Sequence, residues 1–148
     1  MKIIRGTIKE HARHVDELVR EYYAKTIASE GMRPLKFKWH TYQLLEDAGA
    51  VQLFIAKVHD RVIGFALYVV QEHLHHDGQN VAQCTMMGVR PEYRGRGIGR
   101  QLVEYAEGQL REAGATHMVH HHRTLYKVIP LFEHLGFKLA ELEYVKEL

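Results

Sequence analysis

The sequence predicts an α/β fold in which helices pack on a central, mostly antiparallel twisted sheet. Two observations carry that expectation. Three apolar runs, Val51–His59, Val62–His73 and Val81–Val89, follow one another in mid-chain with turn signals between them. Segments with the 3.6-residue period of an amphipathic helix lie before and after them. The runs are apolar on both faces rather than alternating, so helices or a ligand must cover both sides of the sheet. At 148 residues and 17.2 kDa the chain has the size of one domain, spanning 1–148.

Each element follows from local pattern. Lys2–Arg5 reads as a first strand. Val15, Leu18, Val19 and Tyr22 then recur at i, i+3, i+4 and i+7, which predicts a helix over about residues 8–27. Gly31 and Pro34 break it, and Lys38–Ala48 forms a second helix closed by Gly49. Asp60-Arg61 and Asp77-Gly78 supply the turns of two hairpins. Ile98, Leu102, Val103, Ala106 and Leu110 describe a third helix ending near Gly114. Thr116–His121 reads as a strand. A short helix with Val128, Leu131, Phe132 and Leu135 stops at Gly136, and Phe137–Lys146 is expected to be the last strand. The order is βααβββαβαβ.

Composition excludes several classes. The hydrophobic share of 46% and charged share of 26% are globular values, against wholesale disorder. The longest apolar stretch, Val62 to Val70, falls far short of the ~18 residues of a spanning helix. Arg5 breaks the first apolar pair, unlike a secretory leader. Net charge is +2 with the signs interspersed, too weak a bias to expect nucleic acid or a membrane surface as partner. A single cysteine, Cys84, cannot pair within the chain, so a cytoplasmic location is expected.

The segment Val89-Arg-Pro-Glu-Tyr-Arg-Gly-Arg-Gly-Ile-Gly-Arg100 carries the chemistry. Gly95, Gly97 and Gly99 let the backbone turn several N–H groups toward one point. The helix that starts there adds unsatisfied N–H groups and its positive dipole end. Arg94, Arg96 and Arg100 add guanidinium groups suited to phosphate. The dipole alone contributes only about 0.3–1 kcal/mol, so several charge-assisted bonds must act together. The expected guest is a pyrophosphate. A Gly-Lys-Ser/Thr ending is missing, and the G-x-G-x-G spacing is not that of a dinucleotide fingerprint.

The segment resembles the coenzyme A motif of the GCN5-related N-acetyltransferases, Arg/Gln-x-x-Gly-x-Gly, with Arg94, Gly97 and Gly99 at its defining positions. Leu131-Phe-Glu-His-Leu-Gly-Phe137 resembles that family's closing helix-to-strand motif. The resemblance implies a sheet of six to seven strands flanked by four helices, with the fourth strand splayed from the fifth. It also implies acetyl-CoA as co-substrate, an amine acceptor and direct attack of the amine on the thioester. Backbone contacts to the cofactor would fall on Met87, Gly88 and Val89, with a Met87 N–H holding the oxyanion. Pyrophosphate contacts would fall on Arg94, Gly95, Arg96, Gly97, Ile98, Gly99 and Arg100.

Departures from the family are equally specific. Phe132 stands where the family usually has a tyrosine that protonates the departing thiolate, and Leu125 where it often has an asparagine. Pro130 falls where the closing helix would be under way, so that helix is expected to start late or kink. The lost tyrosine keeps open an alternative, a catalytically weak or inactive module that only binds coenzyme A. Few residues follow Phe137, so the exposed strand edge is expected to pair in a homodimer.

A base is also required. For a lysine-like amine of pKa ~10.4, deprotonation at pH 7 costs about 4.6 kcal/mol. The fourth strand offers no carboxylate, which leaves Glu72 and His73 at the end of the third strand and His120 and His122 at the end of the fifth. Tyr126 is a further candidate for the missing acid. The chain has twelve histidines, but neither His73-Leu-His-His76 nor His117-x-x-His-His-His122 fixes a cysteine or carboxylate partner, and no metal is expected. Lys36-Phe-Lys-Trp-His40 opens the second helix, where the family forms its acceptor pocket and where an acidic or aromatic acceptor would suit; a solvated helix start around a buried Trp39 is the preferred reading.

Overall fold

The computed structural model describes residues 1–23, 35–121 and 129–140. Five strands form one sheet in sequence order: β1 (Lys2–Gly6), β2 (Val51–Val58), β3 (Arg61–Glu72), β4 (Asn80–Val89) and β5 (His117–His120). The first four are antiparallel neighbours; β5 lies parallel to β4, reached through the crossover helix α3 (Ile98–Glu112). Helices α1 (Ile8–Tyr23) and α2 (Trp39–Asp47) precede the hairpins, and α4 (Ile129–His134) follows β5.

Both faces of the sheet are covered, as the continuous apolar runs require. Leu53, Ile55, Val62, Phe65 and Leu67 point to one face and pack on Ile8, Val15, Leu18 and Val19 of α1. Phe54, Ala56, Ile63, Ala66 and Tyr68 point to the other and pack on Ile98, Leu102, Ala106 and Leu110 of α3. Each buried Val, Leu, Ile or Phe among them contributes about 1.5–3 kcal/mol relative to exposure. Alternation along β2 and β3 thus divides one apolar run between two cores.

The start of α1 has a cap that links sequence-distant elements. Both carboxylate oxygens of Glu46, on α2, accept the Ile8 N–H at 3.0 and 2.9 Å. Burial pushes the Glu46 carboxyl upward, against the opposing pull of that N–H. The cap pins α2 to the N-terminal end of α1, beside β2.

The C-terminal region corrects one expectation. Phe137–Lys146 is not a strand from its start: residues 137–140 have no regular structure, and Glu141–Leu148 lie outside the described residues. The sheet accordingly has five described strands against the six to seven expected. Phe137 serves the helix before it. Gly136 takes φ +82°, its N–H bonds the Glu133 carbonyl at 3.0 Å, and the Phe137 N–H reaches back to the Phe132 carbonyl at 3.0 Å. The Phe137 ring then packs on Phe132, with centroids 5.6 Å apart. This is a Schellman closure with its apolar contact, and it takes the backbone donor a strand would need. At the other end of α4, Pro130 sits in the first turn, the one place a helix tolerates it.

Candidate active site

The site begins with an extra residue in β4. Leu67 pairs with Met86 and Tyr68 pairs with Cys84, so Thr85 has no counterpart on β3 and forms a bulge. The bulge resets the alternation. Met86 packs on the α1 face, against the same core cluster as Phe37, Trp39 and Tyr42, and Met87 packs on the α3 face. It also marks where β5 stops: β5 pairs with Val81–Cys84 and no further. From Thr85 to Val89, β4 keeps β3 on one edge and, among the described residues, has no strand on the other. A wedge opens there, with His120 at its closed end opposite Cys84.

The glycine segment lies at the open end of that wedge. After a 3-10 turn at Pro91–Tyr93, Gly95 and Gly97 take φ +73° and +74°, the left-handed region that favours glycine. Gly97 is the N-cap of α3, where no side chain caps the first-turn N–H groups. Ile98, the first residue of the helix, is buried in the core between α3 and the sheet and anchors that end. Gly99 lies where a Cβ would press within 3.2 Å of the Met87 side chain and 3.9 Å of Leu131 on α4. One short segment therefore brings the loop, the open half of β4 and α4 together.

The arginines divide by partner. Arg94 donates from Nε to the Val89 carbonyl at 2.9 Å, which ties the loop back to β4. Arg96 lies over the Tyr93 ring at 5.6 Å, with Arg61 at 5.8 Å from the same ring. Arg100 pairs with Glu104 one turn along the exposed face of α3, at 2.8 Å.

The candidate bases separate. Glu72 pairs with Asn80, and the His73 N–H donates to Gln79 at 2.7 Å, so both lie at the start of β4. That places them about five residues, roughly 17 Å of strand, from the bulge, in the β3–β4 turn with His75 and His76. His122 and Tyr126 lie outside the described residues, as does Leu125. His120 is at the wedge. Its Nε2 lies 3.0 Å from the Tyr68 hydroxyl, and its ring packs 4.7 Å from Phe132 and 5.0 Å from Phe137. Among the described residues, no group of three or more His, Cys, Asp or Glu has an arrangement that would hold a metal ion.

Two side chains at this point escape sequence reasoning. Tyr68 is fully buried in mid-β3 and reads as one more apolar residue in a run. Burial pushes its phenol well above the ordinary range, aided by neighbouring Cys84. Cys84, also buried, has its thiol pushed up to about 12, mainly by desolvation, and its Sγ lies 3.6 Å from the Met86 carbonyl. Only the cross-strand register reveals that Tyr68, Cys84 and His120 meet.

Residues 13–137 match the model of the acetyltransferase (GNAT) family. The chain belongs to that family. It is 36% identical over 81 residues to an aminoalkylphosphonate N-acetyltransferase of Salmonella typhimurium, covering 50% of this chain and 52% of that protein. The matched stretch thus spans about half the length of that relative. An acetyltransferase from Trypanosoma brucei superposes with a TM-score of 0.74 at 21% identity, over 99% of both chains. A ribosomal-protein-alanine N-acetyltransferase from Brucella melitensis superposes with a TM-score of 0.72 at 17% identity, over 100% of both chains. At those identities the structures establish the fold, that of the GNAT acetyltransferases. No described helix is long and apolar enough to cross a membrane.

Proposed function

We infer that the protein is an acetyl-CoA-dependent N-acetyltransferase that passes the acetyl group directly to an amine. The observation that carries this reading is that β5 ends at His120, opposite Cys84, while β4 runs on past its bulge to a glycine cradle. The cradle suits a pyrophosphate. The first-turn N–H groups of α3 and the Gly95–Gly97 backbone supply donors, and Arg94, Arg96 and Arg100 supply charge. The free edge of Met87–Val89 suits an amide-bearing arm that pairs with it as a strand would. A Met87 N–H would polarise the thioester carbonyl and hold the developing oxyanion, a donor typically worth about 2.7–4 kcal/mol.

Direct transfer is favoured over an acyl-enzyme because the nearest nucleophile, Cys84, is held as a thiol and bonded to the bulge. His120 is the proton-handling group at the wedge; Glu72 and His73 lie too far along the strand. The acceptor is a small amine, approaching from the face where Phe37, Trp39 and Tyr42 pack on the same core cluster as Met86. The relative from Salmonella typhimurium makes aminoalkylphosphonates the first acceptors to try. Cys84 as a free thiol fits a cytoplasmic setting, and a homodimer paired through strands or closing helices at the C-terminal edge of the sheet goes with this reading. A clean 17.2 kDa monomer in light scattering would remove that dimer.

The test is thiol release from acetyl-CoA with a panel of amines, aminoalkylphosphonates included, beside calorimetry of acetyl-CoA binding. Turnover with at least one amine is expected. Tight binding with no turnover across the panel would instead favour a coenzyme A-binding module, the reading that Phe132 in place of the family tyrosine supports.

A further inference from the structure

We propose that the groove between α3, β5 and the closing turn of α4 is a second binding site, for a small molecule with an apolar body and a single anionic group. It stands apart from the acetyltransferase reading and needs no part of it. Three elements build the walls: Leu110 and Arg111 on α3, Ala115 and Met118 at the entry to β5, and Leu135 and Phe137 at the end of α4. The cavity measures about 410 Å³, inside the range of roughly 300–1,000 Å³ typical of small-molecule sites. Leu110 and the Gly97 N-cap stand roughly 20 Å apart along α3. The groove is therefore at the opposite end of that helix from the glycine cradle.

The walls set the body of the ligand. Leu110 is fully buried, and Ala115 and Met118 are half-buried against the same core. Leu135 and Phe137 are half-buried on the α4 side. An aromatic or aliphatic body seated between them takes apolar surface out of water on both sides.

The rim sets the charge. The carbonyls that end α3 are already engaged: those of Gln109, Leu110 and Arg111 accept the N–H groups of Ala113, Ala115 and Gly114 at 3.0, 2.9 and 3.0 Å. The Thr116 N–H and hydroxyl both donate to the Asn80 carbonyl, at 2.8 and 3.1 Å. The charged side chains of the rim are Lys138, Arg111 and Glu107, with His117 beside them. Arg111 pairs with Glu107 one turn back on α3. Lys138 pairs with no carboxylate among the described residues. Two cations thus stand against one carboxylate, and Lys138 brings three N–H donors to that excess. A carboxylate or sulfonate at the mouth of the groove meets that excess, whereas a cationic ligand meets repulsion. Glu107 disfavours a second negative group, so a monoanion fits better than a dianion.

The experiment titrates naphthoate, and its neutral isostere naphthamide, into wild type and Lys138→Glu, followed by amide and methyl NMR signals. Naphthoate should give saturable shifts at Leu110, Ala115, Met118 and Leu135 and leave Gly95–Gly99 unmoved. Naphthamide should bind about tenfold more weakly, the scale of a lost hydrogen bond to a charged group. Lys138 is exposed, so its replacement spares the fold. Lys138→Glu should weaken naphthoate by at least about tenfold, since it reverses the excess charge, and leave naphthamide unchanged. Absence of saturable shifts at millimolar naphthoate would overturn the proposal. So would equal affinities for the two probes, or a Lys138→Glu protein that binds naphthoate as wild type does. Shifts centred on Met86–Val89 or the glycine segment would put the probe in the wedge and overturn it too. A difference in mass between wild type and Lys138→Glu in light scattering would show a second copy of the chain covering the groove, with the same consequence.

Discussion

From Val81 to Cys84, β4 is hydrogen-bonded on both edges, and Ala82 and Cys84 are buried against α3 and its neighbours. From Thr85 to Val89 it keeps only β3, its side chains are partly exposed, and Gly88 lets the backbone approach Phe65 to within 3.1 Å of where a Cβ would stand. One inserted residue, Thr85, divides the two halves. In the first half stability comes from burial, and changes of side-chain volume at Ala82 or Cys84 should act on folding. In the second half backbone groups are left for a ligand, and changes there should act on binding before they act on the fold. The difference teaches that this site is made of backbone, with few side chains dedicated to it.

The largest expected effect follows from the cradle. Gly97→Val forces a β-branched residue into φ +74° at the N-cap of α3. The protein leaves room for the new Cβ, whose nearest heavy atom is 3.8 Å away, so the fault lies in the backbone and in the approach of phosphate. Acetyl-CoA affinity should fall by at least about a hundredfold in calorimetry, which is about 2.7 kcal/mol or more. Equal affinity would detach the open half of β4 from its proposed ligand.

A smaller effect is expected at Phe132. If His120 already delivers the proton, Phe132→Tyr should change kcat by less than about tenfold, below the ~10²–10⁴ of a working acid. A gain of a hundredfold in steady-state thiol release would show that the wedge lacks an effective acid.

The smallest effect lies in the packed region and concerns pH. His11, buried in the first turn of α1 beside Gly6, has its pKa lowered, chiefly by desolvation, despite its 3.1 Å contact with the Thr7 carbonyl. A histidine whose folded pKa is below its unfolded value binds fewer protons folded than unfolded. Its contribution is therefore complete above about 6.5 and is lost as pH falls from there through the folded pKa. Melting temperature should drop between pH 7.5 and 5.5, and the drop should be smaller in His11→Gln. An identical drop in both proteins would assign the acid sensitivity to other groups.

Much of this was legible in the sequence, for reasons that differ by element. The glycine segment is legible because two positive-φ positions beside a helix start demand that residue type. The helix faces are legible because Leu102, Ala106 and Leu110 repeat at the helical period and all are buried. The bulge is not, since Thr85 is an ordinary strand residue and only the register on β3 makes it extra. Choosing among Glu72, His73 and His120 likewise needs the register, because all three end strands and only one ends beside the wedge. Phe137 is not legible as a helix closer. Its apolar character fits a strand, but Gly136 turns it back onto Phe132 to close α4.

Amide hydrogen exchange with and without acetyl-CoA tests the division of β4 most directly. Saturating acetyl-CoA should slow exchange at amides from Met86 to Arg100 and leave Val81–Cys84 and the β2–β3 ladder unchanged. Uniform slowing across the sheet, or protection that avoids Met86–Val89 and the glycine segment, would contradict the account.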